Sequence, residues 1–343
     1  DKVKFSSERQ RFDPNKKFFI EILNNKVFLI LSNGETYYYE IDKLIKLKKI
    51  KKIKISNNLD ISTSKLGILG AHIDKNDIYI SYAKMDKKIK DCYYMAILKS
   101  KISTKKLQFR EIFTTKKCDN ESKGNFGGGR MQFIEINNNK KLLITTSDYS
   151  GKHSQNLSSP YGKILEIDLK KNEYEIFSIG HRNPQGLLVL ENEIILSTEH
   201  GPVGGDEVNK ILKGSNYGWK VSSYGEPYFE FSIDNDFSLF KNHKNNDFVE
   251  PVYAFTPSIG ISELINVDES FSNKWKKNIL ISSLNGRSIY RAIFDSEYEK
   301  IITKEHIFIG ERIRDISFVK KHNIFLLALE DTGSIGILSK QNN

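Results

Sequence analysis

Short apolar segments rich in β-branched and aromatic residues alternate with polar turns along the whole chain, and they predict β-strands. Pairs of such strands recur six times, which indicates a repeated hairpin. The first strands are predicted at Val27–Leu31, Ile78–Tyr82, Leu142–Thr146, Ile194–Thr198, Ile279–Ser282 and Ile324–Ala328. Their partners are predicted at Thr36–Ile41, Tyr94–Leu98, Ile164–Asp168, Val208–Leu212, Ser288–Ile293 and Gly333–Leu338.

The repeat favours an all-β fold. No segment shows the apolar period of a long amphipathic helix, which argues against alternating β-α-β units. Antiparallel sheets must protect their edges, and a closed ring of blades does so. We therefore predict one domain over residues 1–343, a six-bladed β-propeller of four-stranded antiparallel blades, with two packed β-sandwiches as the alternative. The first blade and the ring closure are expected in about the first 60 residues, with Ile324–Leu338 joined to a strand near Phe18–Leu31.

The chain is basic: 53 Lys and Arg residues against 43 Asp and Glu residues give a formal net charge of +10. This excess fits either a solvated basic surface or a surface that attracts an anionic partner. The densest basic run, Leu44–Lys54, alternates Lys with Leu and Ile, as an exposed edge strand does. The run lacks the interleaved aromatic residues of a single-stranded nucleic-acid platform, so we expect no specific nucleic-acid partner. No apolar run reaches the ~20 residues of a transmembrane helix.

The two cysteines, Cys92 and Cys118, lack the Cys-x-x-Cys spacing of a zinc site. Their spacing leaves one disulfide or two free thiols open. The chain begins at Asp1, as a mature secreted protein or a trimmed chain would.

The segment Gly180–Trp219 holds the strongest candidate for a ligand site. A turn at Gly180–Gly186 precedes an apolar strand, and a second turn at Glu199–Pro202 and the acidic pair Asp206-Glu207 follow it. Two rigid turns around one short strand place polar groups at the same end of a sheet, as a ligand site on a β scaffold requires. The motifs GHRNPQG, EHGP, DE-x-N and NYGW resemble those of the soluble quinoprotein aldose dehydrogenases, which are glucose/sorbosone dehydrogenase-like propellers.

Four further segments carry the resemblance. They are Gly67–His72, the glycine-rich turn Phe126–Arg130, the turn Ser283–Gly286, and Arg312–Asp315. The resemblance implies a six-bladed propeller that oxidises a sugar at the anomeric carbon and passes hydride to pyrroloquinoline quinone (PQQ), with Ca²⁺ at the quinone. It also implies a small-molecule sugar ligand at the propeller face and a periplasmic or secreted protein.

The resemblance also assigns roles to individual residues. It implies cofactor contacts from Arg182, Asn183, Ser258, Asn285, Arg312 and Arg314. The backbone carbonyls of Gly201 and Pro202 would bind the calcium of the quinone, and a second, structural calcium would use Asp206, Glu207 and Tyr217. Carbonyl and carboxylate oxygens suit Ca²⁺, and guanidinium groups suit the carboxylates of a tri-acid. The alternative is a purely structural role for these residues, in which Arg182 and Asn183 cap turns and Arg312 and Arg314 form salt bridges between blades.

Three positions depart from the family pattern. The histidine that removes the proton of the anomeric hydroxyl is replaced by Phe126 or, allowing an extra glycine, by Asn125, and neither side chain accepts a proton at neutral pH. Asn285 stands where the family carries a lysine, and Lys65 stands where it carries a glutamine. Arg182 and His200 are the remaining catalytic candidates. Both belong to the family's own motifs, so neither is an evident replacement for the missing histidine.

Three functions follow as hypotheses. The first is a divergent quinone-dependent aldose dehydrogenase, and the second is a non-catalytic propeller that binds a ligand, glycan or protein. The third is a metal-dependent lactonase or hydrolase with Glu199, Asn183 and Asp148 as ligands. In each case we expect one common depression, surrounded by residues 125–130, 181–183, 199–202, 258–260, 283–286 and 312–314.

Overall fold

The computed structural model describes residues 2–8, 17–46, 52–61, 66–122, 125–136, 138–226 and 243–341. These residues form six antiparallel blades around one axis, which confirms the predicted six-bladed β-propeller. The described helices are short: α1 (Ile41–Ile45) and two 3₁₀ turns at Lys244–Asn246 and Lys320–His322. None of them is long and apolar enough to span a membrane. Lys65 and residues 47–51 of the basic run lie outside the described residues.

The chain opens with β1 (Val3–Glu8), which joins the last blade rather than the first. From the axis outward, blade 1 contains β2 (Phe18–Leu23), β3 (Lys26–Leu31), β4 (Thr36–Glu40), β5 (Ile53–Asn57) and the two-residue β9 (Lys106–Leu107). Blade 2 contains β6 (Ile68–Asp74), β7 (Asp77–Met85), β8 (Tyr93–Lys101) and β10 (Arg110–Thr114). Blade 1 therefore has a fifth strand that the sequence did not predict, because β9 pairs in parallel with β5.

The next three blades each use four consecutive strands. Blade 3 contains β11 (Gly128–Ile136), β12 (Asn139–Thr146), β13 (Lys163–Asp168) and β14 (Glu173–Ile179). Blade 4 contains β15 (Pro184–Val189), β16 (Ile195–Glu199), β17 (Asp206–Ile211) and β18 (Tyr253–Phe255). Blade 5 contains β19 (Ile261–Asn266), β20 (Ile279–Ser283), β21 (Ser288–Phe294) and β22 (Ile301–Phe308).

Blade 6 closes the ring. It contains β23 (Ile313–Val319), β24 (Ile324–Leu329), β25 (Ser334–Lys340) and, at its outer edge, β1. Phe5 of β1 lies opposite Leu338 of β25. The closing strand is therefore Val3–Glu8, and the expectation of a closing strand near Phe18–Leu31 was wrong. Phe18–Leu23 is instead the innermost strand of blade 1, because the outer edge of the last blade is the edge that a ring must cover.

The predicted strand pairs are confirmed as the second and third strands of every blade. Both faces of these strands pack against neighbouring blades, so their apolar residues run nearly without interruption, as in β24, where all six residues are buried. Six apolar clusters each join two adjacent blades; for example, Leu29 of blade 1 packs in one cluster with Leu326 of blade 6. The innermost strands contact one another around the ring, which excludes two separate sandwiches.

A disulfide joins Cys92 and Cys118, whose Cα atoms are 5.4 Å apart. It ties the start of β8 to the segment that follows β10 within blade 2. The alternative of two free thiols is thereby excluded.

Candidate functional site

The innermost strands of all blades start at the same end of the axis, which we call the upper end, and they surround a cavity there. This upper cavity has a volume of about 160 Å³. It is lined by Lys17, Phe19, Leu69, Phe126, Gly127, Gly128, Tyr149, Asn183, Gln185, His200, Leu284 and Arg314. Five of the six predicted segments contribute to this lining. The sixth, residues 258–260, lies beside it, where the carbonyl of Gly260 accepts a hydrogen bond from the backbone N–H of Leu284 at 2.7 Å.

β-Bulges direct several of these side chains toward the axis. The register of the innermost strand shifts near its upper end in five blades. Leu69, Gln185 and Arg314 each lie at such a shift. A bulged residue leaves the regular alternation of the ladder, and its side chain can be aimed away from the blade interior. The bulges thus place three side chains from three blades around one cavity.

The glycine-rich turn before β11 makes close contact with Asn183. A Cβ atom on Gly127 would lie 2.3 Å from Asn183 Oδ1, and Gly128 has a φ of +72°, which favours glycine. Asn183 Oδ1 accepts hydrogen bonds from the backbone N–H of Gly128 at 3.2 Å and from Gln185 Nε2 at 2.9 Å. The amide of Asn183 is therefore held in the cavity wall.

Glu199 anchors the turn that carries His181, Arg182 and Asn183. Its carboxylate accepts hydrogen bonds from the backbone N–H groups of Arg182 and Asn183 and contacts His181 Nδ1 at 2.9 Å. The other ring nitrogen of His181 contacts the Ser178 hydroxyl at 2.8 Å. His181 is thus a buried, fully bonded side chain that supports the turn.

Arg182 reaches the second predicted turn. Its Nη1 donates to the carbonyls of His200 at 3.0 Å and Gly201 at 2.8 Å. Its guanidinium lies 5.2 Å from the ring centre of Tyr149 and 5.4 Å from that of Trp219. The carbonyl of Gly201 therefore already binds a cation, and a calcium ion at this carbonyl would meet the charge of Arg182. As arranged, the turn does not fit the calcium that the sequence resemblance implies at Gly201 and Pro202.

The residues expected at a second calcium are only partly free to bind one. Both oxygens of Asp206 are occupied, since Oδ1 accepts from the Gly201 N–H and the Ser258 hydroxyl and Oδ2 from two backbone N–H groups. The Tyr217 hydroxyl donates to the carbonyl of Lys210 at 2.6 Å and accepts from a backbone N–H. Asp206, Ser258 and Tyr217 therefore hold turns together through these side-chain atoms.

Glu207 differs from its neighbours. It lines a cavity of about 10 Å³ together with Glu199, which is room for one water or ion. Burial and the nearby charge of Glu199 raise the pKa of Glu207 to about 8. Arg182 lines the same space, and both oxygens of Glu199 are engaged by the turn, so Glu207, which accepts one hydrogen bond from Asn209, is the less engaged of the two carboxylates. Glu207 therefore stays a predicted metal ligand, whereas Glu199 supports the turn.

Cations are concentrated at the rim of the upper cavity. Arg314 Nε donates to Glu330 Oε1 at 2.6 Å, and Arg314 Nη1 donates to Gln185 Oε1 at 2.9 Å. Arg312 Nε donates to the other oxygen of Glu330 at 3.4 Å. The two arginines therefore share one carboxylate of their own blade rather than bridging two blades by ion pairs. Lys17 lines the same cavity, and no motif in the sequence pointed to it.

The position of the family base is filled by an aromatic side chain. Phe126 is 5% exposed and packs against Tyr93 and Tyr161, with ring centres 6.1 and 5.6 Å away. Asn125 is exposed and is not part of the cavity lining, and the same holds for Asn285. His200 lines the cavity, and its Nε2 atom is buried without a hydrogen-bond partner among the described residues. Burial lowers the pKa of His200 to about 4, so its imidazole is neutral at pH 7.

The ligand set of a lactonase does not assemble. The Asp148 carboxylate accepts from the Ser150 hydroxyl and from three backbone N–H groups, which fold the loop after β12. Glu199 is engaged by the turn described above. Across the described ranges, no group of three or more His, Cys, Asp or Glu residues is positioned to hold a metal ion. The third hypothesis therefore lacks structural support.

A charged layer lies below the upper cavity and was missed by the sequence reasoning. Arg130 Nη1 lies 2.9 Å from both Asp315 Oδ1 and Glu263 Oε2. Its Nε and Nη2 donate to the carbonyls of Gln185 and Arg314 at 2.8 and 2.9 Å. The layer borders a second axial cavity of about 170 Å³. Arg130 thus links blades 3, 4, 5 and 6 at the axis.

Comparisons with known proteins agree with this architecture. Residues 65–337 match the family model for Glucose / Sorbosone dehydrogenase. Uncharacterized protein slr1608 of Synechocystis is 32% identical over 202 residues, which cover 55% of this chain and 48% of that protein. Aldose sugar dehydrogenase YliI of Escherichia coli is 26% identical over 257 residues, or 70% of this chain and 66% of that protein. The matches therefore span about half to two thirds of these relatives' own lengths.

A solved structure shares the fold over nearly the whole chain. The PQQ-bound form of aldose sugar dehydrogenase from Streptomyces coelicolor superposes with a TM-score of 0.70 at 16% identity, covering 98% of both chains.

Proposed function

The chain belongs to the glucose/sorbosone dehydrogenase family, and we propose that it binds PQQ in the upper cavity and oxidises aldose sugars only slowly. The observation that carries the proposal is the excess of cations over carboxylates at this cavity. Among the described residues, Lys17, Arg312 and Arg314 face a single carboxylate, Glu330. A planar tri-acid supplies the missing negative charge. A relative with the same fold was solved with PQQ bound, which supports the choice of cofactor.

The cavity residues suit the quinone in chemically different ways. Arg314 and Lys17 would bind carboxylates, and Asn183 would donate its amide N–H to a ring oxygen or nitrogen. Phe19 and Phe126 would pack against the planar ring system. When bound, the quinone supplies a hydride acceptor for the anomeric carbon of a sugar. No part of the proposal depends on calcium at Gly201, because Arg182 holds that carbonyl.

The expected slowness follows from the lack of a suitable base. Phe126 cannot accept the proton of the anomeric hydroxyl. His200 Nε2, which is buried and has no hydrogen-bond partner among the described residues, would be the remaining acceptor, but its low pKa makes it a weak base. Losing a general base costs about 10²–10⁴-fold in rate. The same replacement favours the second candidate, a propeller that binds the ligand without turning over a sugar.

We further propose an oxidising compartment, periplasmic or secreted. The Cys92–Cys118 disulfide supports this, since such bonds persist outside the reducing cytosol.

The test is a titration of the purified protein with PQQ, with and without Ca²⁺, followed by absorbance and by the melting temperature. At 100 times its Kd a ligand stabilises the native state by about 2.7 kcal/mol. For a chain of this length the corresponding rise in melting temperature is about 4 °C. Slow turnover of an aldose with a dye as electron acceptor identifies an enzyme, and its absence with PQQ bound identifies the second candidate. No change in absorbance or melting temperature would overturn PQQ binding.

A further inference from the structure

Most of the net positive charge of the chain lies in one segment at the outside of blade 2. Residues 84–117 contain ten Lys, one Arg, two Asp and one Glu, so their net charge is +8, against +10 for the whole chain. The segment runs from the end of β7 through β8 and β10, the two outer strands of blade 2, and it includes β9. Nine of its eleven basic residues are exposed. The basic character of the chain is therefore a local property of this surface.

The segment contributes four cations to a groove near the lower end of blade 2, where β8 ends and β10 begins. This basic groove has a volume of about 310 Å³, and its lining contains Lys99, Lys101, Lys106 and Arg110 and a single acid, Asp77. A cleft lined mainly by one sign of charge focuses the electric field and concentrates ions of the opposite sign. The groove is therefore suited to an anion.

The one acid of the groove does not neutralise it. Asp77 lies 2.9 Å from Lys99 Nζ and 2.8 Å from Lys101 Nζ, so each of its oxygens already pairs with a cation. The side chains of Lys106 and Arg110 form no ion pair with any residue that the structure describes. Arg110 also lies directly opposite Lys99 in the ladder between β8 and β10, and like charges at such positions repel each other. An anion bound between these side chains would relieve the repulsion.

Protection of the sheet edges does not account for this charge. Lysine on an edge strand hinders pairing with another chain, and β9 and β10 are both edge strands. The outer strands of the other blades, however, carry no basic excess: β14 contains two Glu and no Lys or Arg, and β1 and β22 each contain one Lys and one Glu. The cations of blade 2 therefore exceed what an edge needs.

We propose that the basic groove binds an acidic polysaccharide, whose sulfate, phosphate or uronate groups pair with Lys99, Lys106 and Arg110. The planar guanidinium of Arg110 can donate two parallel hydrogen bonds to the oxygens of such a group. Ser103 and Gln108 also line the groove, and their hydroxyl and amide groups suit the hydroxyls of a sugar ring. The volume lies at the small end of ligand sites, so the groove takes a short stretch of a longer chain.

The shape and the lining of the groove favour a polysaccharide over two other polyanions. Among the described residues, the lining contains no aromatic side chain on which a nucleic-acid base could stack. An anionic membrane presents a broad, flat surface, which does not enter a groove. A polymer also fits the charge beyond the groove: Lys106 lies opposite Ser56 in the β5–β9 pair, and the exposed Lys52 and Lys54 lie at the same edge of blade 1.

The basic groove is separate from the upper cavity. It lies on the outer strands of blade 2, whereas the upper cavity is lined by the innermost strands and by turns at the other end of the axis. The inference therefore does not rest on the proposed function. Binding in the groove would hold the protein on an acidic glycan and leave the upper cavity open.

The experiment compares the groove variant Lys106→Gln/Arg110→Gln with the control variant Lys170→Gln/Lys300→Gln. The control removes two exposed lysines of blades 3 and 5 and so lowers the net charge equally. Each protein is titrated by calorimetry with heparin and with polygalacturonate, and dextran serves as the uncharged polysaccharide. We expect the groove variant to bind heparin about 5- to 30-fold more weakly at low salt, and the control variant to change by less than about twofold. The wild-type affinity should fall about 10- to 100-fold between about 50 and 200 mM salt, because pairing releases the counter-ions of the polyanion.

Equal affinities of the groove variant and the control variant for both acidic glycans overturn the inference, as does a wild type that binds neither glycan or binds dextran equally well. If the groove variant does not fold, the single variants Lys106→Gln and Arg110→Gln take its place. A wild-type affinity that is independent of salt also overturns the inference.

Two further measurements test the place and the partner. Competition between heparin and PQQ would put the glycan in the upper cavity and overturn the inference, whereas a failure of PQQ to bind at all affects only the proposed function. Vesicles of equal parts phosphatidylglycerol and phosphatidylcholine and a mixed-sequence DNA duplex are titrated in parallel. If either binds more tightly than both glycans and loses affinity in the groove variant, the groove belongs to that partner and the polysaccharide is overturned.

Discussion

Replacing Arg130 by methionine tests whether the charged layer at the axis holds the ring together. The substitution keeps the length and apolar stem of the side chain but removes the partner of Asp315 and Glu263 and the donors to two carbonyls. Breaking a buried ion pair from one side typically costs about 3–5 kcal/mol. With an unfolding entropy of about 0.7 kcal/mol/K for a chain of this length, the melting temperature should fall by about 4–7 °C.

The loss should depend on pH in a defined direction. Burial already raises the pKa of Glu263 to about 7, and the loss of the Arg130 charge should raise it further. A carboxyl group whose folded-state pKa is raised above its unfolded value destabilises the fold progressively from the unfolded pKa up to the folded pKa, so a further rise for Glu263 adds its cost above about pH 7. The deficit of Arg130→Met relative to the wild type should therefore be small near pH 5 and largest near pH 8.

The assay is urea unfolding followed by tryptophan fluorescence at pH 5 and pH 8, with melting temperatures measured in parallel. Arg110→Met is the matched control, because Arg110 is exposed on β10 and its loss should change the stability by no more than about 0.5 kcal/mol. A deficit below about 1 kcal/mol, or an equal deficit at both pH values, would refute the electrostatic reasoning.

Three further outcomes are expected. Phe126→His should raise aldose turnover at saturating PQQ at least about tenfold if the missing base is the main defect; an unchanged rate would show that another step limits it. Ca²⁺ should raise the melting temperature of the wild type but not of Glu207→Gln, and an equal rise in both would remove Glu207 as a ligand. The double variant Cys92→Ala/Cys118→Ala should lose about 3–4 kcal/mol of stability, as a loop closed over 26 residues implies; denaturant midpoints equal to the wild type would contradict this.

The sequence predicted the middle of each blade better than its two edges. The second and third strands are buried on both faces, so their apolar residues stand out from the turns around them. The outermost strands have little such signal; in β22, for instance, residues 302–306 are all exposed. The innermost strands carry polar and charged residues such as Arg130 and Glu263, because they face the axis rather than an apolar interface. Their pattern therefore resembles that of loops.

The candidate site was predicted where it lies in recognisable turns and missed elsewhere. Asn183, His200 and Arg314 belong to motifs and line the cavity. Lys17 lies in a lysine-rich stretch in which nothing local distinguishes it from its neighbours, and only the tertiary structure brings it to Arg314. The carboxylates that pair with Arg130 come from positions far apart in the chain. A local sequence pattern cannot indicate such a tertiary contact.

The bulges at the upper end have a consequence for how the protein reaches its active form. The residues they present come from distant parts of the chain: Arg314 bonds to Gln185 129 positions away, and Arg130 bonds to Asp315 185 positions away. Contacts of such long range form late and slowly during folding. Individual blades can acquire their hairpins first, but the cavity exists only once all six have met. During refolding, ligand binding should therefore recover later than the β-structure, and its recovery would mark the completion of the ring.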